Sequence, residues 1–167
     1  MAEEGNGGQA GAEPQTQPSL NIITQYVKDL SFENPGAPAT LQSRSEAPNI
    51  NISVGVQGNT LNENDVEIEL KVEARAMVGD DVLFVIELVY AAVFRMTNIA
   101  KENLQALTLI ECPRLIFPFA RQIVAEASRN GGFPPLLIDP IDFVALYRQQ
   151  VESQAGQQPP PPGAPTN

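Results

Sequence analysis

The run VEIELKVEARAMV, residues 66–78, alternates apolar and polar side chains with a period of two. Val66, Ile68, Leu70, Val72, Ala74, Ala76 and Val78 fall on one side, and Glu67, Glu69, Lys71, Glu73 and Arg75 on the other. Successive side chains of a strand point to opposite faces, so this segment reads as a β-strand with one dry face and one wet face. Upstream, residues 49–57 repeat the pattern with Ile50, Ile52, Val54 and Val56 against Asn51, Ser53, Gly55 and Gln57. Downstream, residues 82–94 differ. Both alternating sets, Val82-Phe84-Ile86-Leu88-Tyr90 and Leu83-Val85-Val89-Ala91-Val93, are apolar, which predicts a strand buried on both faces. Residues 20–31, with Ile22, Ile23, Tyr26 and Val27, supply a fourth strand.

The connections at Gly79-Asp80-Asp81 and around Asn62-Glu63-Asn64-Asp65 leave no room for crossover helices, so these neighbours pair antiparallel. From Ile99 to Asn130 the period changes. Leu104, Leu107 and Ile110, then Leu115, Ile116, Phe119, Ile123, Val124 and Ala127, recur at three and four, as on one face of a helix. Pro113 suits the first position of a second helical segment, Pro118 predicts a kink, and Gly131-Gly132 ends the helix. A short last helix is expected over residues 140–152, with Asp139 as N-cap, Pro140 at N1 and Asp142 at N3.

Four strands followed by two helices make an α+β fold: a four-stranded antiparallel sheet with one long kinked helix and one short C-terminal helix. Helices placed after the sheet in sequence cover one of its faces. A strand apolar on both sides then calls for a second copy of the chain, and a homo-oligomer is expected on that ground. Residues 1–18, rich in Gly, Gln and Glu, and 153–167, ending in Pro159-Pro160-Pro161-Pro162-Gly163, read as disordered tails around a folded unit at 19–152.

Composition narrows the function. Lys and Arg number 10 against 20 Asp and Glu, a net charge of −10, which disfavours nucleic acid and anionic membrane surfaces. The chain has no histidine and one cysteine, Cys112, which removes the commonest general base and metal ligand, the Ser-His and Cys-His pairs, and any intrachain disulfide. Gly131-Gly132 leads into Phe133-Pro134-Pro135, not into the Lys and Ser/Thr of a phosphate loop. The pairs Glu67/Glu69 and Asp80/Asp81 are solvated strand and turn residues rather than acid–base machinery. Residues 1–20 carry neither the basic nor the apolar region of a secretory signal, and the apolar stretches fall short of a membrane span. The expectation is a cytoplasmic, non-catalytic binding protein without cofactors or metal.

Three stretches resemble the SecB family of protein-export chaperones. They are Tyr26-Val27-Lys28-Asp29-Leu30-Ser31-Phe32-Glu33-Asn34-Pro35, then Cys112-Pro113-Arg114-Leu115-Ile116-Phe117-Pro118-Phe119-Ala120-Arg121, and Gly131-Gly132-Phe133-Pro134-Pro135-Leu136 leading to Pro140-Ile141-Asp142-Phe143-Val144-Ala145-Leu146-Tyr147. The resemblance implies a homotetramer, a dimer of dimers. It implies an ATP-independent holdase that keeps non-native precursor proteins translocation-competent and passes them to the SecA ATPase. It places a SecA-docking face on Asp29, Glu33 and Glu87, and tetramer-maintaining positions at Phe84, Ile86, Leu88 and Tyr90. Phe32, Phe133, Pro134, Pro135 and the final helix are candidates for the substrate groove, since apolar burial and strand-edge hydrogen bonds recognise unfolded chains without reading sequence. The chain departs from the family at its C-terminus, Gln- and Pro-rich and uncharged in its side chains after Glu152, and in its acidic, Gly-rich N-terminal extension. The competing readings are an acidic scaffolding oligomer that binds a folded partner and, less compatible with the residues, a carboxylate or cation enzyme.

Overall fold

The structure, a computed structural model, describes residues 17–43 and 45–155. Four strands, β1 (Ser19–Glu33), β2 (Asn49–Thr60), β3 (Asp65–Val78) and β4 (Asp81–Thr97), form one antiparallel sheet in the order β1-β4-β3-β2. β2, β3 and β4 are a meander whose tightest turn places Gly79 at φ +58°, a conformation glycine adopts without steric cost. β1 joins the free side of β4, and a long connection carries the chain from it to β2 on the opposite edge. Helices α1 (Lys101–Ala106), α2 (Cys112–Asn130) and α3 (Phe143–Ala155) follow. Leu107–Glu111, a π-helical stretch, joins α1 to α2.

Alternation decides what α2 covers. Ile68, Leu70, Val72, Ala74 and Ala76 of β3 pair in register with Ala92, Tyr90, Leu88, Ile86 and Phe84 of β4, all ten buried. Ile116, Phe117, Ala120 and Val124, at three- and four-residue spacing on α2, close over them. Full burial of an Ile or Val contributes about 1.5–3 kcal/mol each, so this layer dominates the stability of the protomer. Pro113 sits in the first turn of α2 as expected, and the helix continues through Pro118 on its exposed side. Ser128 fastens the loop that follows. Its hydroxyl donates to the Val124 carbonyl at 3.2 Å and accepts the Leu136 amide at 2.8 Å, so Leu136 and Ile138 enter the core.

Three sequence expectations need correction. The last helix begins at Phe143, because the Asp142 carboxylate accepts the Ala145 amide at 3.0 Å and is itself the cap, in place of Asp139. That helix runs to Ala155, so the folded part extends past 152; the remaining tail residues lie outside the described part of the chain. The double-sided apolar strand β4 is buried under α2 but only partly covered on its other face, where Ala91 is buried and Val85, Val89 and Val93 are half-buried. Its second apolar set, Val85, Val89, Ala91 and Val93, lies on the face opposite α2, where side chains from β1 and β3 lean over it.

That cover is a polar network. Two bulges in β1, at Ile22/Thr24 and Val27/Asp29, turn Tyr26 and Lys28 toward β3. The Tyr26 hydroxyl donates to Glu67, and the Lys28 ammonium bridges Glu67 at 3.0 Å and Glu69 at 2.5 Å. Asn59 of β2 donates to both carboxylates, so β1, β2 and β3 are tied together across the small Ala91 of β4. Hydrogen bonding by Tyr26, then Lys28, holds the Glu67 carboxyl down to about 2, and the Arg95 guanidinium with Asn62 holds Asp65 to about 2. Both folded values lie below the ordinary 4.5 and 3.8, so the stabilisation is present above those values and is lost as pH falls from about 4.5 toward 2. Urea midpoints should therefore fall steeply below pH 4.5, and Glu67→Gln should flatten part of that fall. A midpoint equally steep in the variant would remove Glu67 from the account.

Candidate functional site

Two surfaces stand out, one on each face of the sheet. On the face away from α2, Glu87 is exposed at the middle of β4. Its register partner on β1 is Ser31, and Asp29 and Glu33 lie two residues to either side of Ser31, on the same face. Diagonal neighbours of this kind are about 7–8 Å apart, so the three acids form one short patch. On the other side Glu87 faces Glu73 in direct register. Lys71 satisfies Glu73 at 2.9 Å, and among the described residues no lysine or arginine pairs with Asp29, Glu33 or Glu87. The structure thus brings the three sequence-predicted acids together as an exposed anionic surface, which favours a basic partner mainly through its association rate.

On the helix side, α2 lies over β3 and β4 and leaves the edge strands partly open. Along β2 the even-numbered residues floor a trough in two parts. A cavity of about 400 Å³ has Ile52 and Val54 below and Ile138, Ile141 and Leu146 beside it. A second, of about 760 Å³, has Val56, Gly58 and Thr60 below and Leu104 and Thr108 above. α3 walls both, contributing Gln149 to the first and Gln150 to the second. β2 pairs with β3 alone, so its outer edge also offers free backbone donors and acceptors. Apolar floor and open edge together suit an extended chain segment.

The sequence-predicted groove residues sit elsewhere. Phe32 stacks on Phe84 with ring centroids 5.9 Å apart, and Phe133 packs on Phe84 at 4.8 Å, so the two half-buried rings form an aromatic cluster over one end of β4. Gly131 is required beneath it, since a Cβ there would fall within the Phe32 ring. Pro134 and Pro135 are exposed beside the cluster, as are Leu41 and Leu137. Neither cavity along β2 is lined by Phe32, Phe133, Pro134 or Pro135. Sequence reasoning misses the trough when Ile50, Ile52, Val54 and Val56 are read only as the dry side of a strand. The signal is that the helices that follow are too few to cover them.

The interface expectation also changes. Phe84, Ile86, Leu88 and Tyr90 are 4, 0, 0 and 6% exposed, beneath their own α2, and so belong to the protomer core rather than to a surface. The apolar surface lies further out. Ile22, Val27 and Leu30 of β1 stay exposed, and Tyr90 stacks on Phe119 of α2, exposed along with Leu115. Cys112 is buried, and desolvation pushes its thiol up to about 12, which leaves it unreactive. Among the described residues no helix is long and apolar enough to cross a membrane, and no cluster of metal-binding side chains occurs.

Comparison with known proteins identifies the family. Residues 13–154 match the family model described as preprotein translocase subunit SecB. A protein-export protein SecB from Rhodopseudomonas palustris is 56% identical over 152 residues, covering 91% of this chain and 96% of its own length. The protein of the same name from Bradyrhizobium diazoefficiens is 55% identical, covering 90% and 92%. Among solved structures, a Mycobacterium tuberculosis SecB-like chaperone in complex with a ChAD peptide from an antitoxin shares the fold, with TM-score 0.61, 12% identity, and coverage of 73% of this chain and 90% of that one.

Proposed function

The chain belongs to the SecB family of protein-export chaperones, and from that premise we propose that it holds non-native precursor proteins without nucleotide and delivers them to the SecA ATPase. The family is one of chaperones, not of enzymes. The observation that carries the holding step is the trough along β2, whose floor is apolar from Ile52 to Val56 and mixed beyond it, and whose outer edge pairs with no other described strand. Such a surface binds unfolded segments by burial and main-chain pairing, which do not depend on the exact sequence. The cluster of Phe32 and Phe133 with Pro134 and Pro135 offers a second apolar contact for the same clients.

The patch of Asp29, Glu33 and Glu87 is the surface proposed to dock SecA. Assembly is proposed to be a homotetramer, a dimer of dimers, acting in the cytoplasm. The exposed residues of β1 together with Leu115 and Phe119 are the apolar area available for contact between copies. A chain this acidic stays in solution and keeps away from anionic lipid, as a carrier must.

The test is aggregation of a chemically denatured, slow-folding precursor protein diluted into nucleotide-free buffer and followed by light scattering. The wild-type chain should suppress scattering at a stoichiometric ratio. Ile52→Glu, which charges the trough floor at a position already 40% exposed, should lose most of that suppression while keeping the native circular dichroism. Absence of suppression by the wild type would favour the acidic scaffold that binds a folded partner.

A further inference from the structure

Two cavities are neighbours separated by one piece of helix. The 760 Å³ cavity takes Lys101, Leu104, Gln105 and Thr108 from its near side. A cavity of about 460 Å³ takes Asn103, Ala106, Leu107 and Ile110 from the far side of the same turns. Asn98 and Ile99 line both. α1 and the π-helical stretch are thus a partition with open space on each side.

That partition is only half-buried. Neither α1 nor the π-helical stretch has a fully buried residue, whereas α2 has seven. Its leading end turns on Asn98, at φ +57°, a left-handed conformation that asparagine tolerates among non-glycine residues. Its trailing end is the π stretch, whose wide turn hydrogen-bonds less well than α-helix and recurs at functional sites. Leu104, Leu107 and Ile110 rest against the margin of the core, and one close seat fixes the segment on β2. Gly58 of β2 lacks a side chain where Thr108 approaches, and a Cβ there would lie 2.7 Å from the Thr108 methyl. Glycine in a strand interior weakens the strand, and close approach of another element is a reason to find it there.

We propose that α1 and Leu107–Glu111 form a hinged partition, latched by Thr108 on Gly58, which yields toward the smaller cavity when an apolar client segment enters the larger one. A ligand shifts such an equilibrium by the difference in its affinity for the two positions. A bulky segment gains volume in the displaced position and a small one does not, so the partition adjusts the trough to segments of different size. The client part rests on the holding function proposed above; the hinge itself does not.

Hydrogen exchange on the full chain tests both. Helix-initial amides lack partners in any case, so the comparison is of residues 105–111 with residues 116–124. The former should exchange at least 100-fold faster. Ala106→Trp, which fills the smaller cavity, should slow them, and Gly58→Ala, which unseats Thr108, should speed them, each leaving residues 116–124 unchanged. Saturating reduced, carboxymethylated lactalbumin, a permanently unfolded chain, should alter exchange at 105–111, and Ala106→Trp should bind it about tenfold more weakly. Equal protection of the two segments in the wild type, or no opposite effect of the two substitutions, overturns the hinge. Unaltered exchange with the unfolded chain bound overturns its coupling to clients. If the wild type does not bind that chain at all, the holding function fails, and the exchange comparison still decides the hinge.

Discussion

Leu88→Asp should leave no folded protomer, whereas Leu30→Asp should leave a folded protomer that fails to form the proposed assembly. Leu88 is wholly buried, paired in register with Val72 on β3 and Leu30 on β1, with α2 above. Truncation to alanine at such a site costs about 2–5 kcal/mol, and an aspartate adds an unpaired buried carboxylate worth several more. Proteins of this size have about 5–15 kcal/mol in all, so the sum removes most or all of it. Leu30 is 45% exposed on the edge strand, where a carboxylate stays hydrated and the protomer loses little. It would, however, place a charge in the apolar area formed by Ile22 and Val27 with Leu115 and Phe119. Circular dichroism with sedimentation separates the two. Leu88→Asp should lose its native spectrum, and Leu30→Asp should keep it and sediment as a smaller species. A folded, dissociated Leu88→Asp protein would return Phe84, Ile86, Leu88 and Tyr90 to the interface. A fully assembled Leu30→Asp protein would remove the β1 edge from it.

The sheet was legible in the sequence because period-two alternation is a local property. The strands began and ended within a few residues of their true limits, and the order sheet-then-helices led to the α+β class. What alternation does not state is which element covers a face. Over the outer face of β4, Tyr26 and Lys28 reach across Ala91 beside two bulges in β1, and bulges leave no mark in a hydropathy pattern. The same gap concerns Phe84 to Tyr90, which alternation puts on one face without telling that they would be buried within the protomer. Asp29, Glu33 and Glu87 come from different strands, and the register of β1 on β4 makes them neighbours as the resemblance implied. The trough depends on what α2 fails to reach and on where α3 lies, both of which are tertiary facts. Asp139 was a reasonable cap by spacing, but Asp142 has the Ala145 amide in reach.

Reversing Asp29, Glu33 and Glu87 to lysine together should abolish docking to SecA while leaving client holding intact. Each reversal changes the charge by two, so the chain moves from −10 to −4 and stays soluble. The change is concentrated at one patch of three neighbouring exposed carboxylates that, among the described residues, form no ion pair with a lysine or arginine. At Glu87 the effect has a second component, because a lysine there would pair across the strands with Glu73 and cancel part of the remaining negative field. Removing two ion pairs with the partner, each worth about 1.4 kcal/mol, already weakens binding about 100-fold, and repulsion in place of attraction takes it further. Most of the weakening should lie in the association rate. The wild-type affinity should fall with added salt, since the Debye length shortens to about 10 Å at 0.1 M, while the triple variant shows little salt dependence. The matched control is Asp80→Lys, Glu126→Lys and Glu152→Lys, which makes the same change in net charge on exposed residues away from the patch. Calorimetric titration of SecA into the wild type and both triple variants distinguishes placement from net charge. If the control loses as much affinity as the patch variant, the partner responds to the overall field and the three acids are not its docking site. If the patch variant alone fails to bind yet still suppresses client aggregation, the two faces of the sheet hold the client and the export ATPase independently.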